Sequence, residues 1–325
     1  FPYLKVDTVY HRDDAIWPFT TVGRPPQEDT SFGELIHELT GPLLPSEIHG
    51  LKAIHAVDAA GVHPLLLAIA RDNYTPYKKK PRPQELLTVA NSILGKGQLS
   101  LAKYLFILDE EDNKDLDIHH IDQFLSQILR KIDLSRDIHF QTQTTIDTLD
   151  YSSKEINQGS KVIFAACGED KRSLGTKIPS ELKLPNNCLD AKYVAPGVLA
   201  LQIDKFTTYE KAEEEMKELC LELSSQETKE FPLIIIVDDA EFCAQKEKNF
   251  LWVTFTRSNP SHDIYGINES TKHKHWGCEK SLLIDARIKP FHAPPLIEDP
   301  KAVARVNELC TEGSSLYNVI KQVKI

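Results

Sequence analysis

Residues Phe231–Lys289 read FPLIIIVDDAEFCAQKEKNFLWVTFTRSNPSHDIYGINESTKHKHWGCEKSLLIDARIK. The branched run Leu233–Val237 stops at Asp238 and Asp239, an amphipathic segment follows, and a second apolar run occupies Ser281–Ile284. An uninterrupted apolar run that ends in acids and feeds a helix predicts a strand buried on both faces, with polar groups at its C-terminal edge. Open α/β sheets carry much of their chemistry at that edge.

Working outward, the same order of parts stands earlier in the chain. Lys103–Leu108 is a short apolar run followed by Asp109-Glu110-Glu111-Asp112, and Ile118, Ile121, Leu125, Ile128 and Leu129 follow at helical spacing. The apolar run Val162–Ala166 closes that copy. FLSQILRKIDLSRDIHF from Phe124 and FLWVTFTRSNPSHDIYG from Phe250 align without a gap at an offset of 126. Identities fall at Phe124/Phe250, Leu125/Leu251, Ser135/Ser261, Asp137/Asp263 and Ile138/Ile264. Lys161 and Lys280 match at an offset of 119, so insertions fall in loops. Together these predict an α/β fold with mixed sheets flanked by helices and a duplicated strand–helix–strand unit.

Composition sets bounds. The 325 residues suffice for one large or two ordinary domains. A net charge of −10 argues against nucleic-acid binding, which needs a clustered basic face. Lys78-Lys79-Lys80 reads as a solvated loop. No apolar run approaches the roughly 20 residues of a membrane span, so stable membrane insertion is not expected. The six cysteines contain no C-x-x-C pair, which excludes metal-knuckle spacing and fits free thiols in a cytoplasmic protein. Phe1 opens the chain on a strand-like sequence without Met, so a piece of a longer protein is expected.

Before the first copy, Tyr3–His11 and Ile16–Val22 are β-rich around Arg12-Asp13-Asp14-Ala15 and predict a hairpin. Thr30 or Ser31 is expected to cap a helix through Leu39, with Glu34 completing a capping box. Strands are expected over Ile48–Val57 and Val62–Ala70, and a helix over Gln84–Leu94 that ends at Gly95 and Gly97. Ser180–Pro196 reads as polar loop, Val198–Ile203 as strand and Tyr209–Leu223 as an acidic amphipathic helix. Asp299-Pro300 has the cap-then-proline pattern of a helix start.

The chemistry-bearing residues each admit a bland reading beside a functional one. Lys96 stands between two glycines and suits a phosphate, or is a surface lysine in a C-capping turn. Asp109–Asp112 and Asp238-Asp239 suit a divalent cation, or cap the helices that follow. Arg257 and Asp263 read as a structural ion pair paralleled by Lys131 and Asp137. His273, His275 and Trp276 crowd one segment, which reads as a solvated loop unless a third metal ligand joins. No Gly-rich phosphate loop, G-x-S-x-G or H-E-x-x-H is present.

YHRDDAIWPFTTVGRPPQED, GVHPLLLAIA, LLTVANSILGKGQLSLAKYLFI and the order TRxxPSxDI…EKSLLIDAR resemble the UbiD family of reversible decarboxylases, the 3-octaprenyl-4-hydroxybenzoate carboxy-lyase relatives. The resemblance runs from Phe1 to about Cys167, and through the duplicate over Phe231–Lys289. It implies three parts. Residues 1–40 would end a flavin-binding split-barrel domain, leaving a remnant hairpin; 41–195 would be the C-terminal α/β domain; 196–325 would be its duplicate with C-terminal helices.

The resemblance further implies prenylated FMN with Mn²⁺ and K⁺, and decarboxylation of an aromatic carboxylic acid through a covalent flavin adduct. Lys96 then matches the lysine that contacts the flavin phosphate. Arg24, Glu28, Asp29 and Thr30 match a loop beside the substrate, and Thr144 and Ile146 match the pocket wall. Thr145 stands where many members have proline. The family's metal ligands and its catalytic Arg and two Glu would all precede Phe1, so the chain is expected to supply pocket wall and oligomer contacts, with no catalytic or metal residue of its own. A homo-oligomer in quinone biosynthesis, menaquinone or ubiquinone, served by a flavin prenyltransferase, is the implied setting. A non-catalytic assembly module is the alternative.

Overall fold

The computed structural model describes residues 4–15, 28–72, 82–112, 114–293 and 299–321. Strands β1 (Leu51–Ala56), β2 (Leu65–Ala70), β3 (Tyr104–Asp109), β4 (Ile138–Thr145) and β5 (Gln158–Ala166) form one sheet in the order β1-β2-β3-β5-β4. Strands β6 (Asp190–Ala195), β7 (Val198–Gln202), β8 (Leu233–Val237), β9 (Ile264–Gly266) and β12 (Leu282–Asp285) form a second, ordered β6-β7-β8-β12-β9. A separate hairpin, β10 (Glu269–Lys272) with β11 (His275–Cys278), lies between β9 and β12 in the chain. In each sheet the three central strands are parallel and both edge strands antiparallel. The two apolar runs that end in acids are the two middle strands. All residues of β3 and β8 are buried, because helices and a second sheet cover both faces.

The repeat extends to hydrogen-bond register. Tyr104 pairs with Leu65 and Val162, and Leu233 pairs with Val198 and Leu282. Ile138 pairs with Phe164 as Ile264 pairs with Ile284. This register sets Lys161 against Ser281 rather than Lys280, a one-residue correction to the sequence alignment. Both amines nonetheless satisfy the same kind of group. Lys161 donates to Ser100 O, and Lys280 donates to Ser224 O and Gln226 O, each in the turn between a helix and the middle strand. The loop after each second helix repeats too. The Asp133 N–H donates to Asp137 at 2.9 Å and the Asn259 N–H donates to Asp263 at 2.6 Å.

The helices are α1 (Glu28–Thr40), α2 (Leu44–Glu47), α3 (Glu85–Leu94), α4 (Ile121–Lys131), α5 (Tyr209–Ser224), α6 (Ala240–Gln245), α7 (Glu247–Arg257) and α8 (Pro260–Asp263). The outer face of the first sheet packs Leu66, Leu105 and Ile107 on Leu86, Ala90 and Ile93 of α3. The outer face of the second packs Leu201, Ile234 and Leu283 on Met216, Leu219 and Leu223 of α5. The inner faces of both sheets share one core with α4 and α7. Tyr104 and Phe106 from one copy meet Phe255 from the other edge to face, at 5.0 and 5.8 Å between ring centroids.

Polar contacts join the copies as well. The Tyr104 and Ser258 hydroxyls lie 2.7 Å apart, the Ser261 N–H donates to Ser160 Oγ at 2.8 Å, and the Cys278 N–H donates to Leu134 O at 3.0 Å. Gly277 is required here, since a Cβ on it would sit 2.6 Å from Ser135 O. Residues Phe1–His292 form one compact unit and Ala293–Ile325 a second. The second unit holds α9 (Pro300–Leu309), whose Lys301 N–H donates to the Asp299 cap at 2.8 Å, and α10 (Tyr317–Ile320).

Several local expectations are corrected. Residues 4–12 carry no strand, and Ile16–Val22 lies outside the described residues. Thr30 sits inside α1 rather than capping it. Asp190–Ala195, expected as loop, is an edge strand whose half-buried residues need only one partner. Arg257 and Asp263 do not pair with each other. Arg257 faces Asp238 at 3.7 Å, and Asp263 faces Lys289 at 3.2 Å. Nor do Lys131 and Asp137 pair. Lys131 Nζ donates to Gly168 O at 2.8 Å and lies 3.3 Å from Asp170, while Asp137 takes Arg136. In both copies the fold supplies the aspartate with a cation other than the one that sequence spacing suggests.

Helix α1 meets β1 through histidines. His37 and His55 have ring centroids 5.4 Å apart, and His55 and His119 are 4.6 Å apart. Burial, then the charges of His119 and His37, push the His55 imidazole down to about 4, against an opposing pull from Asp117. Its folded pKa lies below its unfolded value of 6.5, so its contribution to stability is complete above that value. That contribution is lost as pH falls toward about 4. Asp109, which burial pushes up to about 6, works with the opposite sign and loses stability as pH rises through its range. A His55→Phe variant should therefore flatten the decline in Tm between pH 6.5 and 4 seen by calorimetry; an unchanged pH profile would refute the assignment to His55.

Candidate functional site

In the first sheet, Leu65, Tyr104 and Val162 lie in register, so the residues just before them line the N-terminal edge of its parallel strands. Strand β4 arrives at the same edge, where Thr144 pairs with Gly159 and Thr145 with Gln158. Three of the sequence-predicted positions gather there. Thr30 donates from Oγ1 to both carboxylate oxygens of Asp58, at 3.0 and 3.1 Å, in the turn joining β1 to β2. Thr144 is half-buried in β4. Ile146 is buried and lies on Gly159, where a Cβ would come within 2.7 Å of its Cδ1. Asp147, next in the chain, faces His63 of the β1–β2 turn at 3.7 Å.

Lys96 stands apart from them. It precedes the 3₁₀ turn Gly97–Leu101 with φ −119°, and its Nζ donates to the Glu47 carboxylate at 2.5 Å. That contact holds Glu47 below the usual carboxylate range. Both side chains are largely exposed, at 40% and 60%. No described hydrogen bond or ion pair links Lys96 to Thr30, Thr144 or Ile146. Glu28 and Asp29 form the first turn of α1. Arg24 lies outside the described residues.

The same edge holds a pair that sequence reasoning missed. Lys103 Nζ lies 2.7 Å from Asp150 Oδ2 and donates to Ser152 Oγ at 2.8 Å, with both charged side chains almost wholly buried. Burial lowers the Lys103 pKa, and the adjacent Asp150 carboxylate pulls it back up. A lysine set among SLAKYLF carries a faint signal, since a charge flanking a buried strand needs a partner, but its partner arrives from a distant loop.

The acidic runs behave as caps and ties. Asp239 accepts from the Phe242 N–H at 2.8 Å at the start of α6, and Asp238 accepts from the Ile288 N–H at 2.7 Å. Asp109 accepts from the Glu111 N–H, and Asp112 from the Gly168 N–H. Among the described residues no group of three or more His, Cys, Asp or Glu is arranged to hold a metal ion, and no helix is long and apolar enough to cross a membrane. The six cysteines are free, and burial raises the pKa of Cys167, Cys243 and Cys278 to about 12, which makes them inert.

The edge offers hydroxyls, a mutually neutralised buried amine–carboxylate pair and a separate exposed lysine at a glycine-flanked turn; these do not make a complete acid–base set. The family model of the 3-octaprenyl-4-hydroxybenzoate carboxy-lyase C-terminal domain matches residues 30–166. A 4-hydroxybenzoate decarboxylase subunit of Chlamydia pneumoniae is 32% identical over 320 residues, covering 95% of this chain and 49% of that protein. An uncharacterised protein of Chlamydia trachomatis serovar D is 31% identical over 296 residues, 89% of this chain and 46% of that one. The chain thus spans about half the length of the curated relatives it matches. Among solved structures, vanillic acid decarboxylase of Sedimentibacter hydroxybenzoicus in its open form is similar over 57% of this chain and 32% of that one, at 16% identity and a TM-score of 0.32. Residues 30–166 thus match the C-terminal domain of the 3-octaprenyl-4-hydroxybenzoate carboxy-lyase (UbiD) family.

Proposed function

We propose that this chain is the C-terminal part of a prenylated-FMN-dependent decarboxylase of aromatic acids. The observation that carries this reading is the match of residues 30–166 to the family's C-terminal domain. The reaction breaks the bond between ring carbon and carboxylate, releases CO₂ and returns a proton to the ring. When bound, the flavin supplies the electron sink for that step.

The groups present fit the flavin's phosphate. Lys96 offers an ammonium on a turn whose neighbours, Gly95 and Gly97, leave room for a ligand's close approach. Its partner Glu47 is exposed and is free to release it. The edge formed by Thr30, Thr144 and Ile146 serves as substrate-side wall, with Glu28 and Asp29 in the first turn of the helix that carries Thr30; the resemblance adds Arg24, which lies outside the described residues. Lys103 and Asp150 hold that wall rigid and exclude water from its base. Among the described residues no group of three or more His, Cys, Asp or Glu is arranged to hold Mn²⁺, so the ligands of Mn²⁺ and K⁺ are assigned to the rest of the full-length protein. The proposal includes a cytoplasmic homo-oligomer, supplied with cofactor by a flavin prenyltransferase and acting in quinone biosynthesis.

The test is made on the full-length protein, coexpressed with the prenyltransferase and assayed for bound flavin by absorbance. Lys96→Ala should lower flavin retention about tenfold, the scale of one lost charge-assisted contact to phosphate. Its folding stability should be essentially unchanged, because the pair with Glu47 is exposed. Unchanged retention would refute the phosphate role. A full-length protein that binds no flavin and decarboxylates no aromatic acid would favour an assembly module instead.

A further inference from the structure

Strand β4 of the first copy and the β10–β11 hairpin of the second face each other across an open cleft of about 580 Å³. That is within the range of roughly 300–1,000 Å³ typical of small-molecule sites. Sequence spacing predicts a solvated loop for His273, His275 and Trp276, yet the fold makes them one wall of this cleft.

The walls combine apolar aromatic surface with cationic and hydroxyl groups. Phe140 and Trp276 meet edge to face at 5.5 Å, which forms an apolar corner that suits a flat ring. Beside them the His139 and His275 rings lie 5.1 Å apart. Burial and the neighbouring His275 keep the His139 pKa below its ordinary value. His275 Nε2 is buried and has no hydrogen-bond partner, a state that is unfavourable unless a ligand satisfies it. Lys274 stands at the hairpin tip, and the hydroxyls of Thr142 and Ser261 complete the rim. Among the described residues no acid lines the cleft, although the chain carries a net charge of −10.

The hairpin tip itself is strained. His273 and Lys274 both occupy the left-handed region, with φ of 52° and 68°, in a two-residue turn where Asn-Gly would be the relaxed choice. Two side-chain-bearing residues are thus held there at a cost, and Lys274 brings cationic charge to the mouth of the cleft. A phosphate ester asks for more donors than one lysine and one imidazole. A planar monoanion does not.

We propose that this cleft binds a small aromatic carboxylate, its ring against Phe140 and Trp276 and its carboxylate held by Lys274 and by His275 in the Nε2–H tautomer. The site is built from both copies, so it gives the duplicated unit a binding role of its own. It stands on the cleft alone and does not depend on flavin binding at Lys96.

The test uses the full-length protein expressed without the prenyltransferase, benzoate as probe and benzyl alcohol as its neutral counterpart, followed by calorimetry and by the histidine ring signals in NMR. Benzoate should bind saturably and shift the His139 and His275 resonances, and benzyl alcohol should bind several-fold more weakly. Lys274→Gln, at an exposed tip that the fold does not need, should weaken benzoate about fivefold and leave benzyl alcohol unaffected. Trp276→Ala should weaken both ligands; if it fails to fold, the Lys274→Gln contrast alone decides. Absence of saturable benzoate binding, equal affinity for the two ligands, or no effect of Lys274→Gln would each overturn the proposal. Loss of flavin retention in the Lys96 variant with benzoate binding intact would separate this site from the proposed cofactor site.

Discussion

Arg287→Met should cost about 3–5 kcal/mol of folding stability, read as a fall in the denaturation midpoint at unchanged slope. The Arg287 side chain is fully buried. Its Nε donates to Asp285 Oδ1 at 2.9 Å and Nη2 to Asp285 Oδ2 at 2.7 Å, a bidentate pair. Nη1 donates to Glu215 at 2.7 Å and to Asp204 O at 2.8 Å. Burial works against the charge, yet these two carboxylates hold the Arg287 pKa above its ordinary value. Methionine fills much of the volume but leaves the buried Asp285 carboxylate without its partner. The pair itself is not expected to add much net stability, because its desolvation nearly cancels its attraction. Arg287→Met combined with Asp285→Leu should therefore recover most of the loss. A single-variant cost below about 1 kcal/mol would show that solvent or another cation takes the place of Arg287.

Phe255→Ala should be similarly damaging, at about 3–5 kcal/mol, because the cavity it leaves cannot collapse. Phe255 is fully buried on α7 and touches rings from both copies: Tyr104 and Phe106 from the first, Phe250 from its own. Its loss should loosen the two copies together. Tryptophan fluorescence and far-UV circular dichroism should still report one coincident transition, at lower denaturant. Separate transitions for the two sheets would show that the shared core does not couple them.

Much of the fold was legible because both middle strands are buried on two faces. Burial on two faces demands an unbroken apolar run, and the run must end where the chain reaches polar surroundings at Asp109 or Asp238. The duplicated helix and loop were legible for a related reason. Asp137 and Asp263 accept the same backbone N–H in both copies, so the aspartate cannot drift without orphaning a buried donor. Edge strands were harder to read. Residues Asp190–Ala195 are only half-buried and pair on one side, so composition shows no clear alternation.

The candidate site was legible in its parts and not in its arrangement. Lys96 announced itself through two flanking glycines, and Thr30, Thr144 and Ile146 through resemblance alone. Lys103 and Asp150 gave no local sign, since a buried ion pair is a relation between segments that the chain separates. The pairing errors have the same origin. Arg257 and Asp263 are close in sequence, but the segment that follows β12 brings Lys289 to Asp263 and leaves Arg257 to Asp238.

By itself the sequence determined the α/β class, the two middle strands, the helices that cover them and the existence of a repeat, because each of these depends on local periodicity and local polarity. Only the tertiary structure decided which charges pair, that the two copies share one core, and that β4 faces the β10–β11 hairpin across a cationic, aromatic cleft. Those outcomes depend on distances between residues far apart in the chain, which hydrophobic burial sets globally and no single stretch encodes.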